Sequence, residues 1–329
     1  MPDAEFKPLH QDILTLRDYM NSRILGQEGL ISRMLVALLA DGHILVEGPP
    51  GLAKTRAVKT LASGLEGDFQ RIQFTPDLLP ADLTGTDIYR PHDSSFSFQP
   101  GPLFHHVIVA DEINRAPAKV QAALLESMEE RQITVGKTTY PLPGLFFVMA
   151  TQNPLEQEGT YPLPESQLDR FLLKITIDYP AVDSEMQIMQ QVRREARQDA
   201  DALAFPDNLP VTQQVIFDTR QEILELHMAQ PVEQYIAQLV DASRNPAAYS
   251  EKLASWIQYG ASPRASLSFD RCCRAWAWLG GRDYVSPEDV QSLAHEILRH
   301  RILLTYQAEA DGVSVDDVID ELLTRVAVA

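Results

Sequence analysis

His43-Ile44-Leu45-Val46-Glu47-Gly48-Pro49-Pro50-Gly51-Leu52-Ala53-Lys54-Thr55-Arg56 is the stretch on which the fold turns. The run from Ile44 to Glu47, closed by Gly48, has the length and apolarity of a buried strand. The loop after it follows the phosphate pattern G-x-x-x-x-G-K-[ST], with Ala53 in the place of the second glycine. In such a loop the backbone N–H groups point at phosphate oxygens, and the helix that follows adds its positive end. Lys54 is then a point charge for the β- and γ-phosphates, and the Thr55 hydroxyl a ligand for Mg2+; Arg56 opens the helix proper. An alanine at position 53 predicts a backbone angle that a β-carbon tolerates.

Working outward, Val107-Ile108-Val109-Ala110-Asp111-Glu112 is an apolar strand that ends in two acids. Asp111 is expected to orient a Mg2+-bound water, and Glu112 to polarise the attacking water. A third strand, Phe147 to Ala150, runs into Thr151-Gln152-Asn153-Pro154, where Asn153 is the candidate to hold the lytic water or the γ-phosphate. Phe69 to Phe74 and Leu172 to Ile177 supply two more strands, and helical segments at 56–65 and 119–130 lie between strands. Strands alternating with helices predict an α/β fold, a parallel sheet of five strands with helices on both faces. In a parallel sheet the loop and the acids meet at one carboxyl edge, where ligands bind.

Two stretches interrupt that layout. Residues 82–98 and 132–140 each read as strand, turn, strand, and predict hairpins inserted into the α/β domain. Helices are expected at 1–23 and 27–40 before the first strand. The pattern changes at Asp178-Tyr179-Pro180. Beyond it strand signals stop, and helices are expected at 185–197, 212–227, 231–243, 263–279, 286–300 and 314–327. Ser286-Pro287-Glu288-Asp289 is a clear helix start, with a cap, a first-turn proline and early acids. The expected division is an α/β nucleotide-binding core over 1–180 and a smaller all-helical domain over 181–329.

Bulk composition narrows the function classes. The chain has 329 residues, and its 28 basic against 46 acidic residues give a net charge of −18. Such a surface opposes non-specific binding to nucleic acid or anionic lipid. The cysteines, Cys272 and Cys273, are adjacent and form no disulfide framework, which fits a reducing compartment. No apolar run suggests a membrane span or a signal core, so the cytoplasm is the expected location. His295 and His300 sit five apart, about 140° around a helix, which is the wrong spacing for zinc.

At these residues the chain resembles the AAA+ superfamily and, within it, the MoxR family. The resemblance spans about residues 20 to 300. It is carried by Ile24-Leu25-Gly26-Gln27, by the loop with its alanine, by Leu79 to Gly85, and by Asp111-Glu112-Ile113-Asn114-Arg115-Ala116. Asn153 through Glu156-Gln157-Glu158-Gly159-Thr160-Tyr161-Pro162 to Arg170-Phe171, and Gly260 to Ala265, complete it. The resemblance implies ATP with Mg2+, an adenine edge at Ile24 to Gln27, and Asn153 as sensor 1. It implies Arg170 as an arginine finger for the neighbouring subunit and Arg264 as sensor 2 on a lid helix, acting in cis or in trans. The hairpins would be the helix-2 insert and the pre-sensor-1 hairpin, and the assembly a ring, usually a hexamer.

The leading expectation for function is an ATP-driven, chaperone-like remodeller of a protein partner. The resemblance suggests a partner with a von Willebrand factor A domain. The alternatives are a nucleic-acid motor or transcription regulator of the same insert group, or a chelatase-type motor subunit. The first hairpin carries Asp82, Asp87 and Asp93 against Arg90 alone, which argues against a nucleic-acid track.

Overall fold

The structure, a computed structural model, describes residues 8–92, 94–154, 159–196 and 209–328, the side chains of Glu195 and Ala196 excepted. Asp93 and Glu156 to Glu158, and parts of the helices expected at 1–23 and 185–197, lie outside the described residues.

Helices α1 (Pro8–Arg23) and α2 (Glu28–Leu39) lead into β1 (Ile44–Glu47) and α3 (Lys54–Ser63). Then come β2 (Phe69–Gln73), α4 (Pro80–Thr84), and a hairpin of β3 (Gly85–Arg90) and β4 (Ser95–Pro100). Next are β5 (Val107–Asp111), α5 (Ala118–Glu130) and a second hairpin, β6 (Gln132–Val135) and β7 (Thr138–Pro141). β8 (Phe147–Gln152), α6 (Glu165–Leu168) and β9 (Leu173–Thr176) complete the sheet. Its order is β2-β5-β8-β1-β9, with every neighbouring pair parallel.

Strand alternation explains the two covered faces. Val46, Val109, Met149 and Ile175 pack with the apolar residues of α1, α2 and α3. Their neighbours Leu45, Ile108, Val148 and Ala150 pack on the other side with Val120, Leu124 and Met128 of α5. Adjacent strand residues face opposite ways, so a strand buried on both sides reads as an unbroken apolar run. The first hairpin starts later than expected, because Pro80 and the Asp82 carboxylate, which accepts from Leu79 N at 2.8 Å, begin the short helix α4. The hairpins touch through Phe98 and Tyr140, whose rings stack with centroids 4.0 Å apart.

Past the sheet the chain is mostly helical: α7 (Val182–Ala196), α8 (Gln213–Leu224), α9 (Gln230–Arg244), α10 (Glu251–Trp256), α11 (Pro263–Leu279), α12 (Pro287–Leu298), α13 (Tyr306–Ala310) and α14 (Val315–Arg325). Between them, β10 (His227–Met228), β11 (Ile257–Tyr259), β12 (Tyr284–Val285) and β13 (Leu303–Leu304) form two small ladders, β10 with β12 and β11 with β13. Strands of two or three residues are too short to leave a periodic signal. Cys272 and Cys273 are fully buried in α11, and burial pushes the Cys272 thiol up to about 12. Among the described residues no helix is long and apolar enough to cross a membrane.

Two buried histidines fasten this frame. His43 Nδ1 accepts from Val148 N at 3.1 Å, so its other nitrogen carries the proton and donates to Met128 O at 3.3 Å. Burial, with help from Arg131, lowers its pKa to about 3. His300 contacts Phe171 O at 3.0 Å, and burial holds it well below its ordinary value. Both are neutral when folded and take up protons near pH 6.5 when unfolded. The unfolded state therefore binds more protons, and stability falls as pH drops from about 6.5 towards 3. His43 alone is expected to remove about 2 kcal/mol by pH 5. Denaturant midpoints measured from pH 7.5 to 5 check this, since a flat profile would contradict it.

Candidate active site

The loop after β1 turns at glycines for steric reasons. A β-carbon on Gly48 would lie 2.5 Å from Ile177 O, and Gly51 has φ +84°. Ala53 departs from expectation: it sits at φ +56° and ψ +19°, in the left-handed region. A β-carbon there costs roughly 1–2 kcal/mol relative to ordinary backbone. It also offers no side chain to cap α3, and the first amides of a helix have no carbonyl of their own helix to bond. Those amides are the donors that an anion takes up. Lys54 folds back and donates from Nζ to Gly48 O at 2.7 Å. Burial lowers its pKa, and Asp111, Glu112 and Glu47 oppose that shift.

The acidic strand end faces this loop. Asp111 Oδ1 accepts from Thr151 Oγ1 at 2.6 Å, and its Oδ2 from Arg71 Nη2 at 2.7 Å and Nε at 3.1 Å. Glu112 leaves the strand at φ +56°, and its N–H donates to the same Thr151 hydroxyl at 2.9 Å. Its Oε2 accepts from Gln73 Nε2 at 2.8 Å and pairs with Arg115 at 3.0 Å. A cavity of about 370 Å³ is lined by the loop from Pro50 to Arg56 and by Arg71, Asp111, Glu112, Thr151, Gln152 and Asn153. Asn153 is buried there, 6% exposed. The oxygen donors Thr55 and Asp111 share this cavity, a set that suits Mg2+, which takes few protein ligands.

Other expected site residues lie elsewhere. Arg170, just before β9, and Arg264, in the first turn of α11, line a separate cavity with residues 41–43, at the amino ends of β1 and β9. Both contact Glu129: Arg170 Nε at 3.1 Å, and Arg264 through Nη2. They contribute nothing to the chain's own loop cavity. Ile24 is buried, and Gly26 (φ +73°) packs against Pro180 and Ser184. Ile24, Leu25, Gly26 and Gln27 thus form the turn before α2, and the loop cavity is lined by other residues. Sequence reasoning missed Thr151, Arg71 and Gln73. Thr151 stands two residues before Asn153 at the tip of β8, and the polar Arg71 and Gln73 alternate on β2. Only the register of β2 on β5, which pairs Gln73 with Asp111, shows what they face.

Known proteins match this arrangement. The family described as "ATPase family associated with various cellular activities (AAA)" matches residues 43–173, and an AAA lid domain matches 253–322. Chaperone MoxR1 of Mycobacterium tuberculosis is 47% identical over 308 residues, covering 92% of this chain and 79% of that protein. Protein MoxR of Paracoccus denitrificans is 32% identical over 355 residues, covering 99% of each. A crystal structure of a candidate ATPase from Cytophaga hutchinsonii superposes with a TM-score of 0.89 at 46% identity, covering 98% of this chain and 96% of that one. With the loop, the acids and the lid in one chain, and relatives matched over 79% to 99% of their own length, the chain is an ATP-hydrolysing member of the MoxR family of AAA+ ATPases.

Proposed function

We propose that this chain couples Mg2+-dependent ATP hydrolysis in the loop cavity to the remodelling of a protein partner. The observation that carries the reading is one cavity lined by Lys54, Thr55, Asp111, Glu112 and Asn153 together. Residues from Gly48 through Pro49, Pro50, Gly51, Leu52 and Ala53 to Arg56 cradle the phosphates, and Ile24 to Gln27 border the adenine. Lys54 exchanges its bond to Gly48 O for phosphate oxygens. Thr55 and Asp111 hold the ion, which neutralises charge on the phosphates when bound. Glu112 takes the proton of the attacking water, and Asn153 fixes that water or the γ-phosphate. Arg170 and Arg264 face away from their own site, which supports action on a neighbour in a ring, with six subunits as the family habit.

The division of labour falls near residue 180, with the core before it and the lid after it. The first hairpin supports a protein client: Tyr89 and Phe96 are half exposed or more, while Arg90 is engaged by Ser97. A partner with a von Willebrand factor A domain, a chaperone role like the name of the mycobacterial relative, and a cytoplasmic setting complete the reading. Lys54→Ala is expected to weaken ATP binding roughly 10- to 100-fold, the worth of a charge-assisted contact. Calorimetric titration with ATP and Mg2+ decides it; unchanged affinity would remove the loop from the site.

A further inference from the structure

The cavity at the amino edge of the sheet encloses about 370 Å³ and is lined by five arginines against three carboxylates. Two of those arginines, Arg170 and Arg264, come from parts of the chain far apart in sequence. Like charges so close repel unless an anion lies between them. Glu129, in the last turn of α5, is that anion: one carboxylate oxygen is 3.1 Å from Arg170 Nε, and the other accepts from Arg264 Nη2.

The backbones that carry the three groups are fixed independently. Glu129 follows Met128, whose carbonyl is held by the neutral His43 between β1 and β8. Asp169, next to Arg170, accepts from Arg301 Nε at 2.8 Å and from Ser262 Oγ at 2.7 Å. Ser262 is the cap of α11 and accepts from Arg264 N at 3.1 Å, so Asp169 ties the two arginine-bearing segments together. What remains free is the long side chains, and Glu129 joins their heads.

We propose that Glu129 is a positioning residue, whose carboxylate yokes Arg170 and Arg264 into one two-headed cation presented to the neighbouring subunit's triphosphate. This rests on the reading of Arg170 as a residue that acts across a subunit interface. A guanidinium has five N–H donors, and contacts centred on Nε and on Nη2 leave donors over on each. The side chains of Arg170 and Arg264 are 30% and 41% exposed, so the pair is open to a ligand from outside. Glu129 thereby sets the direction of the arginines without occupying their phosphate-binding nitrogens.

The test is steady-state ATP hydrolysis by the full chain with Mg2+, as wild type, Arg170→Ala, Glu129→Gln, Glu129→Asp and the double variant Arg170→Ala/Glu129→Gln. Glu129→Gln is expected to lower kcat about tenfold with KM for ATP within about twofold, because the affected contact forms in the transition state. Glu129→Asp keeps the charge and should recover part of kcat. In the Arg170→Ala background, Glu129→Gln should cost less than about twofold, since without Arg170 there is no two-headed cation left to hold together. If Glu129→Gln does not fold, as judged by its unfolding midpoint, Glu129→Asp carries the same cycle. Unchanged kcat, a raised kcat, or losses that multiply with those of Arg170→Ala would each overturn the proposal. An Arg170→Ala protein with normal kcat would instead sink the trans reading on which it rests.

Discussion

Glu112→Gln is expected to bind ATP as the wild type does and to hydrolyse it roughly 10²–10⁴ times more slowly, the usual worth of a general base. The substitution keeps the size of the side chain and its turn out of β5. The Thr151 contact is to the backbone N–H, so it survives. What is lost is the basicity of a carboxylate that now sits between Gln73 and Arg115. Both partners occupy the carboxylate, and the attacking water must compete with them for it. Single-turnover hydrolysis alongside equilibrium titration separates the two effects. Undiminished turnover would take Glu112 out of the chemistry, and lost binding would mean the acid holds the loop together instead.

Arg170→Ala is the second large effect: a fall in kcat of roughly 10³-fold or more, with ATP affinity little changed. The reason is positional. Arg170 lies at the amino ends of β1 and β9, whereas the phosphate loop leaves the carboxyl end of β1. A residue so placed serves a nucleotide only when another copy supplies it. Head-to-tail contacts of this kind close into a ring when the rotation between copies closes. Mixing Arg170→Ala subunits with Glu112→Gln subunits then restores activity, because an interface with a sound base on one side and a sound arginine on the other works. At equal mixing about one interface in four has that composition. No recovery on mixing would refute shared sites.

Much of this site is legible in the sequence because it is local. The strand, the loop and Lys54-Thr55 are contiguous, and so are the apolar run and the acids that end it. Helix starts are local too: at the start read from Ser286-Pro287-Glu288-Asp289, the Asp289 carboxylate accepts from Ser286 N at 2.8 Å. What stays hidden is set by lateral order. β8 lies between β1 and β5, and this alone lets the Thr151 hydroxyl bridge Asp111 and Glu112. Arg71 reaches Asp111 through a register that no pattern in β2 announces. Arg264 and Glu129 are 135 positions apart, and only the tertiary fold brings the start of α11 within side-chain reach of the end of α5. Ala53 misleads for another reason: its β-carbon suggests ordinary backbone, while the loop holds it in the left-handed region.

The stack of Phe98 on Tyr140 has a mechanical meaning. Each hairpin leads through a short connection into an interior strand of the sheet, the first into β5 and the second into β8. β5 ends in Asp111, and β8 carries Thr151 as its last residue but one, just ahead of Asn153. A pull on either hairpin is therefore shared before it enters the sheet, and the carboxylate and the hydroxyl feel it together. A client gripping one loop would tug on the acid and on the side chain that steadies it as a single lever.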